Sequence, residues 1–350
     1  MDAPVRVREH PAMPIAAPAR YREMLDAARA GGYAYPAINV TSSDTLNAAL
    51  TGFAEAGSDG IVQITAGGAA SLSGGGPEHG VAGARALALM ARELAERVPV
   101  SIALHTDHCP PVLLESFLEP LLAASEARVR DGGDPLFNSH MFDGSTLPLE
   151  ENLAISAQLL ERCRAIGVVL ELEVGVVGGE EDGIRGESGD HLYTTTGDLL
   201  RVAEVLGTGD RGRYLLAATF GNVHGMPPAG HVRLRPEILR DGQRALAAGH
   251  QGARFDYVFH GSSGTAEALL RQTVDYGVVK VNLDSEAQYA YTRAVAAHMF
   301  TQYDGVLMVD GGVGRKRAYD PRTWNAAGQA GMAARVARAC EQLGSAGKRL

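Results

Sequence analysis

The sequence predicts a parallel (β/α)8 barrel with extra C-terminal helices, and two features lead there. Short apolar, β-branched runs alternate eight times with stretches of helical spacing. Nearly every run also ends in a polar side chain, as expected where strand ends gather on one catalytic rim. A length of 350 residues and an apolar share of 45% suit one such barrel with a large core.

The first run is 33–40 (YAYPAINV), with Asn39 near its end, and the second is 60–66 (GIVQITA), with Thr65. The third, 100–108 (VSIALHTDH), finishes on Asp107 and His108, and the fourth, 136–143 (LFNSHMFD), on Asp143. The fifth, 168–175 (VVLELEVG), carries Glu173, and the sixth, 214–221 (YLLAATFG), leads to His224. The seventh, 255–261 (FDYVFHG), ends on His260 and Gly261, and the eighth, 278–284 (VVKVNLD), on Asn282 and Asp284. Between them lie Ala/Leu/Glu/Arg-rich spacers such as 83–97 and 151–165, whose apolar positions recur at helical spacing. The stretches 287–300 and 321–345 read as further helices that cover the barrel or meet a partner. Residues 1–12 read as a flexible extension, with Met13 an alternative start, and 13–350 as a single barrel domain.

A net charge of −9 argues against nucleic acid as a partner, so anionic ligands must be held locally by a few arginines and backbone N–H groups. The three scattered cysteines, Cys109, Cys163 and Cys340, form neither a disulfide framework nor a thiolate metal site and suit a reducing compartment. No apolar run approaches the roughly 20 residues that span a bilayer. The N-terminus lacks the apolar region of a signal peptide, so a cytoplasmic location is expected, with no membrane contact.

Imidazoles and carboxylates at the end of an apolar strand are costly unless paired or bound to metal. The segment His105-Thr106-Asp107-His108 is one such place, and Phe220-Gly221-Asn222-Val223-His224-Gly225 and Phe259-His260-Gly261 are two more. His108, His224 and His260 on one rim would offer three nitrogen ligands and an open position, the pattern of a catalytic zinc site. The alternative is three unrelated core histidines. His105 and His140 read as residues that orient ligands rather than as ligands. The glycine-rich acidic stretch 175–183 (GVVGGEEDG) is either a solvated turn or a lid that carries a carboxylate over the pocket. Gly261-Ser262-Ser263-Gly264 and Asn282-Leu283-Asp284-Ser285 each follow a strand and open a helical stretch, where N–H groups can hold phosphate. Arg322 is a candidate for a bidentate anion clamp.

With these residues in place the chain closely resembles the class II fructose-bisphosphate aldolases, of the longer, dimeric subtype, from about Met13 onward. The resemblance rests on PAIN (36–39), ALHTDHC (103–109), SHMFDGS (139–145), LELEVGVVGGEEDG (170–183), FGNVHG (220–225), FHGSSG (259–264), VVKVNLD (278–284) and YDPR (319–322). It implies a TIM barrel and reversible, zinc-dependent cleavage of fructose 1,6-bisphosphate to dihydroxyacetone phosphate and glyceraldehyde 3-phosphate through a metal-stabilised enediolate. By the same resemblance His108, His224 and His260 hold the zinc ion, while Asp143 and Glu173 belong to an alternative metal position. Asp107 moves the proton of the C4 hydroxyl, Glu181 exchanges one with the dihydroxyacetone-phosphate carbon, and Asn282 steadies the enediolate. Asn39 and Thr65 lie near the substrate. Ser263, Asp284, Ser285 and Arg322 hold phosphates or hydroxyls, Arg322 across the interface of a homodimer. Carbonyls around Gly225 and Gly261 match the family's monovalent-cation (Na+ or K+) site. Ser262, Thr65 and Ser285 depart mildly from the family pattern, which bears on the preferred sugar.

The chemistry needs these groups. Breaking the C3–C4 bond leaves an electron pair beside a ketone, which a Lewis-acid cation stabilises, while one group removes a proton and another returns one. A lysine Schiff base is the other route, but the chain has only three lysines, Lys280, Lys316 and Lys348. Lys280 shares strand parity with Asn282 and is expected to pair inside the barrel with a carboxylate such as Glu171. A related aldolase for tagatose bisphosphate or another sugar phosphate, and a non-catalytic paralogue, are the competing readings.

Overall fold

A computed structural model describes residues 15–177, 179–181, 184–186, 193–223, 234–307, 312 and 314–350, the side chains of Pro77, 179–181 and 184–186 excepted. All eight anticipated runs are strands: β1 (Tyr35–Asn39), β2 (Gly60–Ile64), β3 (Ile102–Thr106), β4 (Ser139–Phe142), β5 (Val169–Val174), β8 (Tyr214–Ala218), β9 (Tyr257–Phe259) and β10 (Val278–Leu283). They pair in parallel in a closed ring, in the order β1-β10-β9-β8-β5-β4-β3-β2. The remaining two, β6 (Gly179–Glu181) and β7 (Ile184–Gly186), form a separate antiparallel hairpin. The acidic stretch anticipated as a solvated turn or a lid therefore runs into short strands; its many glycines gave no apolar alternation by which to see them.

The helices are α1 (Pro18–Gly31), α2 (Ser43–Ala56), α3 (Ala66–Leu72), α4 (Gly80–Ala95), α5 (Glu119–Arg130), α6 (Leu149–Ala165), α7 (Thr196–Leu206), α8 (Glu237–Gly249), α9 (Glu267–Asp275), α10 (Ser285–Thr301), α11 (Tyr303–Val306), α12 (Lys316–Tyr319) and α13 (Pro321–Leu343). Their starts are written locally. Ser42 caps α2 and Thr195 caps α7, each in a reciprocal capping box with the residue three positions on, Thr45 and Asp198. Asp320 caps α13, with Pro321 at its first turn. No helix among the described residues is long and apolar enough to cross a membrane.

Strand alternation sorts side chains into two populations. Outward residues such as Ile38, Val62, Leu104, Phe142, Leu172, Leu216, Phe259 and Val281 join the helices in the main apolar core. Inward residues Tyr35, Ala37, Ile61, Ala103, Val169, Leu215 and Val258 form a second cluster, together with Tyr21, Met24 and Leu25 of α1. The helix α1 thus closes the N-terminal mouth of the barrel. The β9–β10 register shifts between Val278 and Lys280, and Val279 joins the inner cluster. That irregularity lets Lys280 and Asn282 also face the interior. At the same end, buried Asp59 accepts from the backbone N–H of Ser101 (2.7 Å) and of Leu350 (2.9 Å), fastening the C-terminal segment to the base.

Candidate active site

Each strand of the barrel delivers its inward side chains in register. Gln63 lies opposite His105, and His105 opposite Ser139, so neighbouring strands place polar groups on one level. One residue beyond β3, Asp107 is fully buried and takes three amide donors. Asn39 Nδ2 gives to its Oδ2 at 3.0 Å, Gln63 Nε2 to the same oxygen at 2.8 Å, and Asn282 Nδ2 to Oδ1 at 3.0 Å. Three amides hold the carboxylate in one orientation.

His108 follows with φ of 25°, a left-handed conformation rare for a residue with a Cβ. Such strain costs roughly 1–3 kcal/mol and persists only where the surroundings impose it. The turn places its Nδ1 3.0 Å from Asp143 Oδ2 and its ring edge-on to His260, with centroids 4.6 Å apart. His260, at the end of β9, is buried between two carboxylates of β5. Its Nε2 donates to Glu171 Oε1 at 2.8 Å, and its Nδ1 lies 3.2 Å from Glu173 Oε2. Ligand atoms of Asp107, His108 and His260 all fall within 4.8 Å of one another, as do those of His108, Asp143 and Glu173.

The electrostatics call for a cation. Burial disfavours a charged His260, but hydrogen bonds to Glu171 and Glu173 outweigh it and lift the imidazole to about 9. Burial likewise opposes ionisation of Asp143, yet His108 and Ser145 hold its carboxyl well below the usual range. Glu173 moves the other way, raised by burial and then by the neighbouring Asp143 charge. Among the described residues, Asp107, Asp143, Glu171 and Glu173 gather at this rim with one lysine, Lys280, which pairs with Glu171. The excess of negative charge and the mix of imidazole and carboxylate donors fit a divalent ion of the zinc type, which would displace the proton held by His260. Lys280 itself is clamped by Glu171 Oε2 at 2.9 Å and Asn282 Oδ1 at 2.7 Å. The pairing with Glu171 expected from strand parity is thus present, and an amine so held makes a poor Schiff-base nucleophile.

The other anticipated site residues are distributed as follows. Thr65 is buried and caps α3, its hydroxyl accepting from Gly68 N–H at 3.0 Å. Gly261 has φ of +64°, and a Cβ on it would lie 2.6 Å from the Val223 backbone, so only glycine fits. Asn222 Nδ2 donates to the His260 carbonyl at 2.9 Å, joining the strand ends that carry Val223 and His260. His224 and Gly225, next along the chain, lie outside the described residues, as does the side chain of Glu181, whose backbone is in β6.

In the loop after β9, Ser263 is half-buried, Gly264 N–H donates to Glu286 at 2.7 Å, and the Ser262 hydroxyl donates to the Asn282 carbonyl at 2.7 Å. Asp284 and Ser285 stand at the start of α10, where Asp284 accepts from Gln288. Arg322 is 86% exposed, pairs with Asp320, and is not gathered with the rest. His105 does belong to the cluster, its Nε2 lying 3.6 Å from Glu171 and its Nδ1 bonded to Ser139 at 2.8 Å. His140 does not orient a ligand. It has the opposite parity, bonds Thr106 at 2.7 Å and packs beside Phe137 in the outer core. Sequence reasoning missed Gln63, whose signal was present: it lies on β2 two residues before Thr65, at an inward position.

Comparisons with known proteins agree with this arrangement. The family model described as "Fructose-bisphosphate aldolase class-II" matches residues 19–348. A fructose-bisphosphate aldolase of Streptomyces galbus is 58% identical, the match covering 97% of this chain and 100% of that one. One from Mycobacterium leprae is 53% identical, covering 96% and 99%. The crystal structure of a fructose-bisphosphate aldolase from Campylobacter jejuni superposes with a TM-score of 0.85 at 33% identity, covering 96% of this chain and 97% of that one. A chain that matches the family model across nearly its whole length, and relatives of that identity end to end, belongs to the class II fructose-bisphosphate aldolases, lyases of a generally zinc-dependent family.

Proposed function

We propose that this chain cleaves and forms fructose 1,6-bisphosphate, with His108, His224 and His260 as zinc ligands and Asp107 as the group that moves the C4 hydroxyl proton. The observation that carries the reading is the convergence of Asp107, His108 and His260, from β3 and β9, on one point. Gly261 adjoins His260 and packs against Val223, which adjoins His224. The bound ion supplies a Lewis acid for the electron pair left as the C3–C4 bond breaks. Asp107, with one oxygen held by Asn39 and Gln63 and the other by Asn282, is aimed to take the hydroxyl proton. Asn282 then presents an amide to the oxygens that gain charge. Glu181, on the hairpin that follows β5, returns a proton to the carbon, the hairpin acting as a lid. Asp143 and Glu173 offer the ion a second resting position beside His108.

Asn39 and Thr65 are assigned to the substrate hydroxyls, and Ser263, Asp284 and Ser285 to a phosphate, with Arg322 gripping the second from a partner copy. Exposure of Arg322 and the state of α10 support this last point. That helix buries only Ala287, while Phe300 is 80% exposed and Tyr289, Tyr303, Leu307 and Tyr319 are also open on and around it. Such an apolar face suits a second copy of the chain, making a homodimer. The monovalent cation is assigned to carbonyls near Gly225 and Gly261. The enzyme is assigned to the cytoplasm as a single barrel domain, with residues 1–12 dispensable for activity.

The test is cleavage of fructose 1,6-bisphosphate, coupled to a triose-phosphate readout, before and after chelation. Activity should vanish with the metal and return on zinc addition; full activity in metal-free protein would overturn the reading.

A further inference from the structure

We infer that Lys280, which would not touch the substrate, is the positioning residue of the site: it fixes which nitrogen of His260 faces the metal and anchors the oxygen end of the Asn282 amide whose nitrogen faces Asp107. The inference rests on the zinc-site reading above and extends it to a residue that reading does not use.

A lysine ammonium has only donors, so the Asn282 atom 2.7 Å from Lys280 Nζ must be the amide oxygen. The amide nitrogen is then turned toward Asp107, a carboxylate that only accepts, at 3.0 Å. Asp107 and Lys280 thus demand the same amide orientation; without Lys280 the Asn282 oxygen would lose its donor and the amide would be held from the Asp107 side alone. On its other side Lys280 binds both oxygens of Glu171, at 2.9 and 3.2 Å. This holds the carboxylate charged in a fully buried position, where an unpaired charge would be costly. The Glu171 oxygen at 2.8 Å then demands a proton on His260 Nε2, which leaves Nδ1 as the nitrogen able to bind an ion. One ammonium thereby sets the donor state of a metal ligand through Glu171 and the direction of a proton-moving carboxylate through Asn282. Lys280 is able to reach both because the irregularity at Val279 puts it on the interior face, level with Tyr35 of the adjoining strand.

The test uses full-length, zinc-loaded protein and four variants: Lys280→Met, Glu171→Gln, the double variant of the two, and His260→Ala as a reference. Zinc affinity is measured by competition with a chromophoric chelator, the visible spectrum of cobalt-substituted protein reports ligand geometry, and thermal unfolding reports the fold. Lys280→Met should weaken zinc about 10–100-fold, the range for losing a partner that orients a metal ligand, and shift the cobalt bands. Its kcat should fall more than its KM rises, through Asp107. The double variant removes the buried charge with its partner, so its thermal stability should recover toward the parent while zinc affinity and the cobalt spectrum stay perturbed. This variant also keeps the inference testable if Lys280→Met does not fold. Parent-like zinc affinity and cobalt bands in the double variant would overturn the inference and leave the pair a purely structural one. If His260→Ala also holds zinc like the parent, it is the ligand assignment that fails; if His260→Ala loses zinc while the double variant keeps it, only the role of Lys280 fails.

Discussion

The two ends of the barrel are built from the same strands and the same inward parity, yet they treat charge in opposite ways. At the base, the buried Asp256 carboxylate is answered by two guanidinium groups. Arg213 reaches it at 2.7 Å, and Arg29 grips both of its oxygens, at 2.7 Å to Oδ1. Arg213 also meets Asp26 of α1 at 2.9 Å, and Tyr21 of the same helix stands in the inner apolar cluster. Charge there is closed off by residues of the chain itself. At the rim, among the described residues, Lys280 answers Glu171 alone, while Asp107 is held by amides and Asp143 and Glu173 by imidazoles, one of them lifted to about 9. The base is closed by its own ion pairs, whereas the described residues of the rim carry more carboxylate than fixed cation, a donor set suited to a metal ion. Where a protein balances its charges it is building structure; where it keeps them unbalanced at some energetic cost, it is keeping a place for chemistry.

Substitutions at the two ends should therefore separate activity from stability. At the rim, Asp107→Asn keeps the shape and removes the proton acceptor, so kcat should fall by about 10²–10⁴-fold, with a smaller loss of stability, about 1–3 kcal/mol, because the new NH2 faces an amide donor in a buried site. Steady-state kinetics beside a melting curve checks this, and comparable losses in both would mean that Asp107 is structural. At the base, Asp256→Ala strands two arginines and should cost about 3 kcal/mol, the lower end for breaking a buried pair because both arginines are partly exposed. Urea denaturation would read that loss, and kcat/KM of the folded fraction should stay at the parent value. Gly261→Ala falls between the two in kind: its Cβ would press on Val223 and its φ is positive. A loss of about 1–2 kcal/mol should come with weaker zinc retention, since the backbone at Val223 and at His260 is pushed apart. The smallest effect belongs to Tyr21→Phe, which removes only a hydroxyl 3.4 Å from Ser139. A stability change below about 1 kcal/mol is expected, with no change in turnover.

What the sequence could disclose followed the same division. Strands were legible because most carry a short apolar run with β-branched residues, β4 being the exception, and the rim because its polar residues share one phase with the strand ends. Lys280 and Glu171 were paired on parity alone, and the pair is there. Parity also shows why His140 was misjudged: it is one residue out of phase with Ser139, so an imidazole in a suggestive motif faces the outer core. Gln63 was overlooked because one amide in an apolar strand looks like noise until its partners from β1 and β3 are beside it. Nor does local pattern announce that α1 seals the base, for a helix records which of its faces is apolar and not which opening that face will fill. The hairpin β6–β7 was hidden by a composition rich in glycine and acid, whose three-residue strands are too short to show an apolar alternation.

The ring closes where β1 meets β10, a pairing between Tyr35 and Lys280 that joins distant parts of the chain. Folding must finish that long-range contact before donors from β3 and β9 can face each other, so a half-assembled barrel lacks the group formed by Asp107, His108 and His260. By mass action, occupancy of the rim would then favour the sealed ring by RT ln(1 + [ion]/Kd). A cell short of the metal would lose the enzyme twice, first as idle catalyst and then as protein that opens and is degraded more readily.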